Sequence, residues 1–268
     1  MPPQVLVLRA PGTNCDVETA HAFQRCGAKV DRVHVNRLLD RPATLDGYQV
    51  LALPGGFSFG DDLGAGRILG GLIRGHLGDA FRAFRDAGKL ILGVCNGFQI
   101  LMKSGLLLDD VERAADDGSP RKVPPATLTW NNHGRFEARW TRLRATSGKC
   151  VFLANIDTME LPIAHAEGKF VPIDDEVFSA LDAAGQLALR YAGRGQRDER
   201  GQLPFPENPN GSTADVAGVC DSSGRVFGLM PHPERHVDAT QHPRWTRHPP
   251  RQEGDGLAIF RNAVNYFH

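Results

Sequence analysis

A single cysteine stands between an apolar run and a helical pattern in the segment LILGVCNGFQILM, residues 90–102. Gly93 and Gly97 lie two residues to either side of Cys95. Glycines at this spacing leave room for a sharp strand-to-helix turn that ordinary side chains would block. The helix that follows would point its positive N-terminus at the sulfur and favour the thiolate. The pattern predicts a thiol nucleophile at Cys95; the alternative is a buried structural cysteine, the commoner role of that residue.

A thiol nucleophile requires a base, and the segment GLMPHPER, residues 228–235, offers one. His232 follows an apolar, strand-like run, and Glu234 two residues later shares its side of an extended backbone. Glu234 would then bind the second imidazole nitrogen and determine the tautomer. The chain has ten histidines, so the alternative is a surface histidine that lies near a glutamate by chance. The chain order Cys, His, Glu, with the last two residues two apart, favours a catalytic triad.

Acyl transfer also requires donors for an oxyanion, and the segment LPGGFSFGD, residues 53–61, follows a neighbouring apolar run. Gly55 and Gly56 would let the backbone turn its N–H groups toward the strand ends, beside the N–H of Asn96. The competing interpretation is phosphate binding, because GAGRILG, residues 64–70, approximates a dinucleotide fingerprint. That segment does not directly follow a strand, and no GK[ST] motif is present, so the match is weak.

Alternating strands and helices would position these residues. Strands are predicted over residues 4–9, 29–35, 48–56 and 89–94, and helices over 14–27 and 65–88, the first capped by Thr13 or Asn14 and stopped by Gly27. Beyond a polar loop at 109–125 we predict short strands in ATLTWN, GRFEARWTRLR, LPIAHAEGKFV and QLALRYA, and a helix over 174–185. A hairpin is predicted over 214–234, with its turn at 221–224. It is followed by a loop over 236–256, to which we assign no role, and by a closing helix over 256–267. The pattern predicts one α/β domain over residues 1–268: a mostly parallel sheet with helices on both faces, plus antiparallel additions.

The composition argues against several classes of protein. The chain has 31 basic and 31 acidic residues and no net charge, which disfavours a nucleic-acid-binding role. No apolar run is long enough to span a bilayer, and the first residues do not resemble a signal peptide. The five cysteines are widely spaced without a CxxC motif, and no metal-ligand spacing is visible among Cys and His. We therefore expect a cytoplasmic protein that binds neither nucleic acid nor membranes.

Five segments, in chain order, resemble the class I (triad-type) glutamine amidotransferases, which have a flavodoxin-like fold. They are LPGGFSFGD, GVCNGFQIL, PIAHAEGKF, NPNGS and GLMPHPER. Within that family they are similar to the glutamine-hydrolysing subunits of phosphoribosylformylglycinamidine synthases, and the similarity spans nearly the whole chain. The segment WNNHGRFEARW matches the family's usual pattern only in part, so contacts to glutamine around residues 131–133 stay open.

The resemblance implies a role for each matching residue. Cys95 would be the nucleophile, His232 the general base and acid, and Glu234 the residue that orients His232. Gly56 or Phe57, together with Asn96, would supply the oxyanion N–H groups, in the loop that begins at Gly55. The remaining implied residue is Gln99, one helical turn after the nucleophile, which would help to hold the substrate glutamine.

The implied reaction is hydrolysis of L-glutamine through a cysteinyl thioester to glutamate and ammonia. A large synthetase subunit would use the ammonia to convert formylglycinamide ribonucleotide to the amidine in de novo purine biosynthesis, and a small bridging subunit would complete the complex. No cofactor is expected in this chain, which lacks ATP-binding signatures, so ATP and Mg²⁺ are expected on the synthetase. The alternatives are a stand-alone thiol hydrolase similar to γ-glutamyl hydrolases and an inactive assembly subunit. A papain-like protease fits less well, because its CGSCW-type signature is absent.

Overall fold

The computed structural model describes residues 1–108, 124–199, 201–247 and 251–268. In these ranges the α-helices are α1 (Asp16–Arg25), α2 (Val35–Asp40), α3 (Arg67–Leu72), α4 (Gly78–Asp86), α5 (Asn96–Ser104), α6 (Asp175–Ala183) and α7 (Leu257–Asn265). The strands are β1 (Gln4–Arg9), β2 (Lys29–His34), β3 (Val50–Leu53), β4 (Leu90–Val94), β5 (Ala126–Thr129), β6 (Glu137–Ala145), β7 (Thr158–His165), β8 (Lys169–Pro172), β9 (Leu189–Tyr191), β10 (Val216–Cys220) and β11 (Val226–Leu229). The loop predicted at 109–125 lies almost wholly outside the described residues. None of the helices in these ranges combines the length and the apolar character needed to cross a membrane.

The main sheet has nine strands in the order β2-β1-β3-β4-β11-β10-β9-β6-β7, and β5 pairs with β8 in a separate ribbon. In this spatial order, the neighbouring strands β2, β1, β3, β4 and β11 are all parallel to one another. The remaining neighbours, from β11 through β10, β9 and β6 to β7, pair antiparallel. The order 2-1-3-4 is that of flavodoxin-like folds. Every residue of β3, β4, β10 and β11 is buried, so both faces of the central sheet are covered. The predicted α/β sheet with antiparallel additions is confirmed.

The predicted boundaries needed two corrections. Helix α1 starts after Cys15, whose side chain forms no cap hydrogen bond, so the predicted caps at Thr13 or Asn14 were wrong. The segment LPIAHAEGKFV was predicted as one strand but forms the end of β7 and the start of β8. The break falls at residues 166–168, where the chain leaves the nine-stranded sheet for the two-stranded ribbon. The hairpin of β10 and β11 is antiparallel, as predicted.

Strand β4 leads into helix α5 through the single residue Cys95. A Cβ atom at Gly93 would lie 2.6 Å from the carbonyl oxygen of Gly97, and one at Gly97 would overlap the carbonyl oxygen of Leu53. Real Cβ atoms do not approach a backbone oxygen so closely, so both positions require glycine. The first turn of α5 therefore packs directly on the ends of β3 and β4.

The glycines that approximate a dinucleotide fingerprint have a packing role. A Cβ atom at Gly66 would lie 2.7 Å from the backbone nitrogen of Ile100, and one at Gly70 would lie 2.8 Å from Cβ of Lys103. Both contacts join the start of α3 to helix α5. These glycines allow the two helices to approach closely, so packing accounts for their presence without a phosphate-binding role.

Strand β7 lies at the far edge of the nine-stranded sheet, yet its end reaches the carboxyl ends of the parallel strands. The backbone N–H of His232, just after β11, donates to the carbonyl of Pro162 in β7 at 2.8 Å. Cys95 Sγ donates to the carbonyl of Ala164 at 3.6 Å. The antiparallel strands therefore fold back over the point at which β4 and β11 end.

We expect Gly97→Ala to lower the free energy of unfolding by about 3 kcal/mol, the upper range for overpacking, because the new methyl group would overlap the Leu53 carbonyl. Gly71→Ala is the matched control, since Gly71 also lies in a helix but has nothing within 4 Å of its Cβ position. The control should be neutral or gain up to about 1 kcal/mol from helix propensity. Urea unfolding followed by circular dichroism measures both variants, and equal stabilities would contradict the packing argument.

Candidate active site

The carboxyl ends of three neighbouring parallel strands meet at the candidate site. In the sheet register Leu53 pairs with Gly93, and Gly93 pairs with Gly228. The segments that follow β3, β4 and β11 therefore leave the sheet side by side, and they contain the predicted loop glycines, Cys95 and His232. In open α/β sheets this edge is where ligands bind.

Cys95 occupies a strained backbone position at the turn between β4 and α5. Its φ is 51° and its ψ is −106°, outside the conformations that a residue with a side chain prefers. Its backbone N–H is bonded to the Leu229 carbonyl at 2.8 Å, and its own carbonyl accepts from the Gln99 N–H at 3.1 Å. The residue is buried at 5% exposure, and its sulfur lies at the N-terminus of a nine-residue helix. This is the geometry of a nucleophile elbow.

His232 and Glu234 form a buried pair beside the cysteine. His232 Nδ1 lies 2.6 Å from Glu234 Oε1, and both side chains are almost wholly inaccessible to solvent. Burial by itself disfavours the charged ring, but the carboxylate of Glu234 and the sulfur of Cys95 outweigh it and raise the pKa of His232 well above its usual range. The carboxylate thereby holds Nδ1 protonated. In the described part of the chain Nε2 has no hydrogen-bond partner, so it is the nitrogen left for proton transfer.

The loop after β3, which contains Gly55 and Gly56, is hydrogen-bonded to the segment before α1. The Gly55 carbonyl accepts from the Cys15 N–H at 3.2 Å, and the Phe57 N–H donates to the Gly12 carbonyl at 2.9 Å. The C=O and N–H of a trans peptide point in opposite directions, so the Gly56 N–H points away from Cys15. The Phe57 N–H is thus engaged elsewhere, and of the two predicted loop donors Gly56 is the better candidate. Gly56 has a φ of 136°, which requires glycine.

Asn96 and Gln99 connect this loop to helix α5. The Asn96 side chain accepts from the Ser58 N–H at 3.1 Å and donates to Asp61 at 3.0 Å. It also donates to Gln99 Oε1 at 3.0 Å. The Gln99 amide in turn donates to the backbone carbonyl of Glu167 at 2.6 Å. Both predicted residues are buried and hold the loop after β3 against the turn between β7 and β8.

Asn131 and His165 brace that turn from the other side. The Asn131 amide nitrogen donates to the carbonyls of Arg135 and His165 at 3.0 and 2.9 Å. Its Oδ1 must therefore accept, and it accepts from the Gly168 N–H and faces His165 Nδ1, each at 3.2 Å. His165 is thus protonated at Nδ1 and neutral. Burial, together with the positive charge of His232, lowers the pKa of His165 to about 3.

The segment NPNGS supports the same turn. Asn210 donates to the Gly168 carbonyl at 2.8 Å, and the Ser212 hydroxyl accepts from the Phe170 N–H at 3.0 Å. The carboxylate of Glu167 accepts from the Ala65 N–H at 3.3 Å. Two segments that the sequence marks as specific, PIAHAEGKF and NPNGS, thus form one wall of the candidate site. Asn132 and His133, the other residues left open by the sequence, are exposed.

One set of side chains in the described residues has the spacing of metal ligands. The ligand atoms of Cys15, His232 and Glu234 lie within 4.8 Å of one another. A guanidinium nitrogen of Arg235 lies 3.1 Å from the Cys15 sulfur. The Cys15 thiol donates to Asn14 Oδ1, and His232 Nδ1 is bonded to Glu234, so these atoms already have protein partners and we interpret the set as a hydrogen-bonded cluster. Two surface cavities, of about 800 and 720 Å³, are lined by neither Cys95 nor His232. The segment 236–256, which had no predicted role, contributes to the larger one.

The sequence reasoning missed three residues at the site. Cys15 and Arg235 contact each other beside the imidazole of His232, and His165 lies within electrostatic reach of it. Arg235 is adjacent to Glu234, and His165 lies in PIAHAEGKF, a segment that resembles the family, so local signals existed for both. Cys15 lies in VLRAPGTNCD, residues 7–16, where the family resemblance begins, but no local pattern there predicts its contact with His232, which comes from the opposite end of the chain.

The comparison with family models identifies the chain. The model for the CobB/CobQ-like glutamine amidotransferase domain matches residues 2–267. The chain belongs to this family. Membership agrees with the elbow at Cys95 and with the buried pair of His232 and Glu234.

Relatives of this amidotransferase chain match it from end to end. Phosphoribosylformylglycinamidine synthase subunit PurQ of Dehalococcoides mccartyi is 46% identical, over 98% of this chain and 97% of the relative. The subunit PurQ of Archaeoglobus fulgidus is 38% identical, over 98% and 96%. Among solved structures, that of PurLQS from Thermotoga maritima matches with a TM-score of 0.72 and 32% identity, covering all of both chains.

We predict that His165 makes the stability depend on pH. The unfolded chain binds a proton on this residue below its ordinary pKa of 6.5, whereas the folded chain resists protonation down to about pH 3. Stability should therefore rise with pH between these limits and be flat above them, by roughly 2 kcal/mol between pH 5 and pH 7. His165→Asn, which retains a donor for Asn131, should flatten this dependence.

The exposed His76 provides the matched control. Thermal or urea unfolding of wild type, His165→Asn and His76→Asn at pH 5 and pH 7 gives the comparison. The two variants should differ in the pH dependence of their unfolding free energy, not only in its value at pH 7. The same pH dependence in both variants would refute a buried, neutral His165.

Proposed function

We propose that this chain is the glutamine-hydrolysing subunit of a phosphoribosylformylglycinamidine synthase, with Cys95, His232 and Glu234 as its catalytic triad. The observation that carries the proposal is the elbow at Cys95 beside the buried His232–Glu234 pair, in a chain that matches PurQ relatives over its full length. The surrounding motifs support it, since PIAHAEGKF and NPNGS build one wall of the same site.

The reaction begins with attack of the Cys95 sulfur on the side-chain carboxamide carbon of L-glutamine. His232, protonated at Nε2, gives that proton to the nitrogen, the C–N bond breaks, and ammonia leaves. A glutamyl thioester on Cys95 remains. Neutral His232 then removes a proton from water, which attacks the thioester carbon. The C–S bond breaks, glutamate departs, and the sulfur and the imidazolium are restored as an ion pair.

The structure provides for the charges that this sequence of steps creates. Glu234 stabilises the imidazolium, which explains the raised pKa of His232. The oxyanion of each tetrahedral intermediate would lie at the N-terminus of α5, within reach of the Asn96 N–H and the Gly56 N–H. In the assembled complex these backbone donors would be in place before the reaction, and they would lower the barrier because they need no reorganisation during it.

The ammonia is used on another polypeptide in this proposal. The Thermotoga maritima structure is of a PurLQS assembly, which supports association of this chain with a synthetase subunit and a small third subunit. ATP and Mg²⁺ act on the synthetase, where formylglycinamide ribonucleotide becomes the amidine. The exposed side chains of Phe57 and Leu63, 46% and 66% accessible, lie on the loop after β3 and suit contact with a partner. The complex acts in the cytoplasm.

We expect Cys95→Ser to abolish glutamine-dependent synthesis by the assembled complex and to leave ammonia-dependent synthesis near the wild-type rate. The reason is that Cys95 serves only the release of ammonia. Product formation with glutamine and with ammonium as alternative nitrogen sources measures both activities. Cys26→Ser, a partly buried cysteine near the C-terminal end of α1, is the matched control and should retain both. Normal glutamine turnover by Cys95→Ser would eliminate the proposed nucleophile.

We also expect the isolated chain to hydrolyse glutamine slowly and its partners to activate it. In the free chain the Phe57 N–H is bonded to Gly12, and Phe59 and Asp61 have positive φ angles of 53°, a strained loop that partner contact can rearrange. One missing oxyanion donor costs roughly 10²–10³ in rate. Steady-state glutaminase assays with and without the synthetase subunit and its nucleotide compare the two states. Equal turnover in both would favour a stand-alone hydrolase.

A further inference from the structure

A second sulfur atom lies beside the imidazole of His232. Cys15, immediately before α1, is fully buried, and its Sγ lies within 4.8 Å of ligand atoms of both His232 and Glu234. Gly55 separates it from the ring: a Cβ atom at Gly55 would lie 2.8 Å from His232 Cε1 and 3.2 Å from Cys15 Sγ. The sulfur and the imidazole thus pack against the same glycine.

The backbone around Cys15 holds the sulfur in this position. The N–H of Cys15 donates to the Gly55 carbonyl, and its carbonyl accepts from both the N–H and the hydroxyl of Thr19, at 3.1 and 2.6 Å. The side chain makes no cap hydrogen bond to α1, so its orientation is not dictated by the helix. The loop that contributes Gly55 to the candidate site therefore also determines where Cys15 lies.

The Cys15 sulfur donates one hydrogen bond and accepts another. Its S–H donates to Asn14 Oδ1 at 3.2 Å, and the sulfur accepts from Arg235 Nη2 at 3.1 Å. A thiol sulfur whose hydrogen is used in one direction can act only as an acceptor in the others. Toward His232, Cys15 is accordingly an acceptor.

The catalytic cycle contains stages at which such an acceptor is needed. In both tetrahedral intermediates the imidazole is protonated while the Cys95 sulfur is bonded to carbon. Cys95 cannot then stabilise the Nε2–H as a thiolate does. Glu234 still binds Nδ1–H, and a second acceptor beside the ring would add to the stabilisation of its positive charge.

We propose that Cys15 is a positioning residue for His232, with a sulfur that accepts from the imidazolium while Cys95 is bonded to the substrate. The inference rests on the proposed glutaminase function and deepens it. Cys15 touches neither substrate nor the reacting atoms; it acts through the orientation and charge of His232.

The groups that face His232 come from four parts of the chain. They are Glu234 and Arg235 from its own segment, Cys95 from the turn before α5, Cys15 from the segment before α1, and His165 from the end of β7. The nearby Cys15 sulfur, like Glu234 and Cys95, raises the pKa of His232. Removal of Cys15 therefore lowers this pKa and moves the loss of the active, protonated ring to lower pH.

The test is the pH dependence of glutaminase activity in the assembled complex. Cys15→Ala and Cys15→Val remove the acceptor with a smaller and a larger apolar side chain, so at least one can be expected to fold. Cys15→Ser keeps an acceptor, and Cys26→Ala is the matched cysteine control. Thermal unfolding, and labelling of Cys95 by a glutamine analogue, report whether each variant is intact.

For the two apolar variants we expect kcat to fall about tenfold, with KM little changed, and the basic limb of the pH profile to move down by about one unit, the size expected for a lost hydrogen bond to a charged group. Cys15→Ser should recover most of both effects, and Cys26→Ala should match wild type. The proposal would be refuted if the basic limb did not move in a folded apolar variant, or if Cys15→Ser lost as much kcat as the apolar variants. Either result would mean that Cys15 acts only through packing. Absence of glutamine turnover by the wild-type complex would instead refute the proposed function.

Discussion

The close approach of helix α5 to the end of β3 is the constraint on which the candidate site depends. Because Gly97 carries no side chain, the first turn of the helix rests on the Leu53 carbonyl, and Cys95 must turn through a positive φ angle. That turn places the sulfur at the helix N-terminus, facing the Ala164 carbonyl of β7. A methyl group at position 97 would push the helix away and with it the N–H of Asn96, which is proposed as an oxyanion donor. Helix α5 packs against β3, β4 and β11, and this packing maintains the strained backbone of Cys95.

Two buried imidazoles near this turn have pKa values shifted in opposite directions, and their partners explain the difference. His232 faces the carboxylate of Glu234, which stabilises the added proton and raises the pKa. His165 faces the amide oxygen of Asn131, whose orientation is dictated by two backbone carbonyls, and its pKa falls to about 3. Two charged rings within electrostatic reach of each other would repel. Because His165 is neutral, only one of the two rings carries a positive charge, and that ring, His232, is the one proposed to move protons.

Several segments that resemble the family contribute hydrogen bonds that hold the walls of the candidate site together, and not reactive side chains. Asn210 and Asn131 hold the turn at residues 166–168, and Gln99 bonds to the same turn from α5. Glu167 extends from it to the loop after β3. The result is a continuous set of hydrogen bonds between the wall formed by β7 and the loop that contains Gly56. A change in any of these buried polar groups would leave partners unsatisfied, which is costly in a dry interior.

The sequence alone determined the features that depend on neighbours in the chain. The spacing of glycines around Cys95 predicts the tight turn, because the steric conflict lies within a few residues. The spacing of His232 and Glu234 favours their contact, since residues two apart share one side of an extended backbone. Near-continuous apolar runs predict the buried parallel strands β1, β3 and β4, which the structure confirms. The catalytic roles inferred from these patterns stay predictions.

Only the tertiary structure decided which remote groups meet at Cys95, His232 and Glu234. The fold-back of β7 brings His165 toward His232, and the pairing of β1 with β3 brings Cys15 against Gly55. The Phe57 N–H is bonded to the Gly12 carbonyl, which favours Gly56 over Phe57 as the predicted oxyanion donor of the loop. None of these contacts leaves a local pattern, because each joins residues from different elements whose approach depends on sheet order and twist. Steric conflicts between near neighbours can be predicted from the spacing of residues in the sequence, whereas long-range contacts depend on how the whole chain packs.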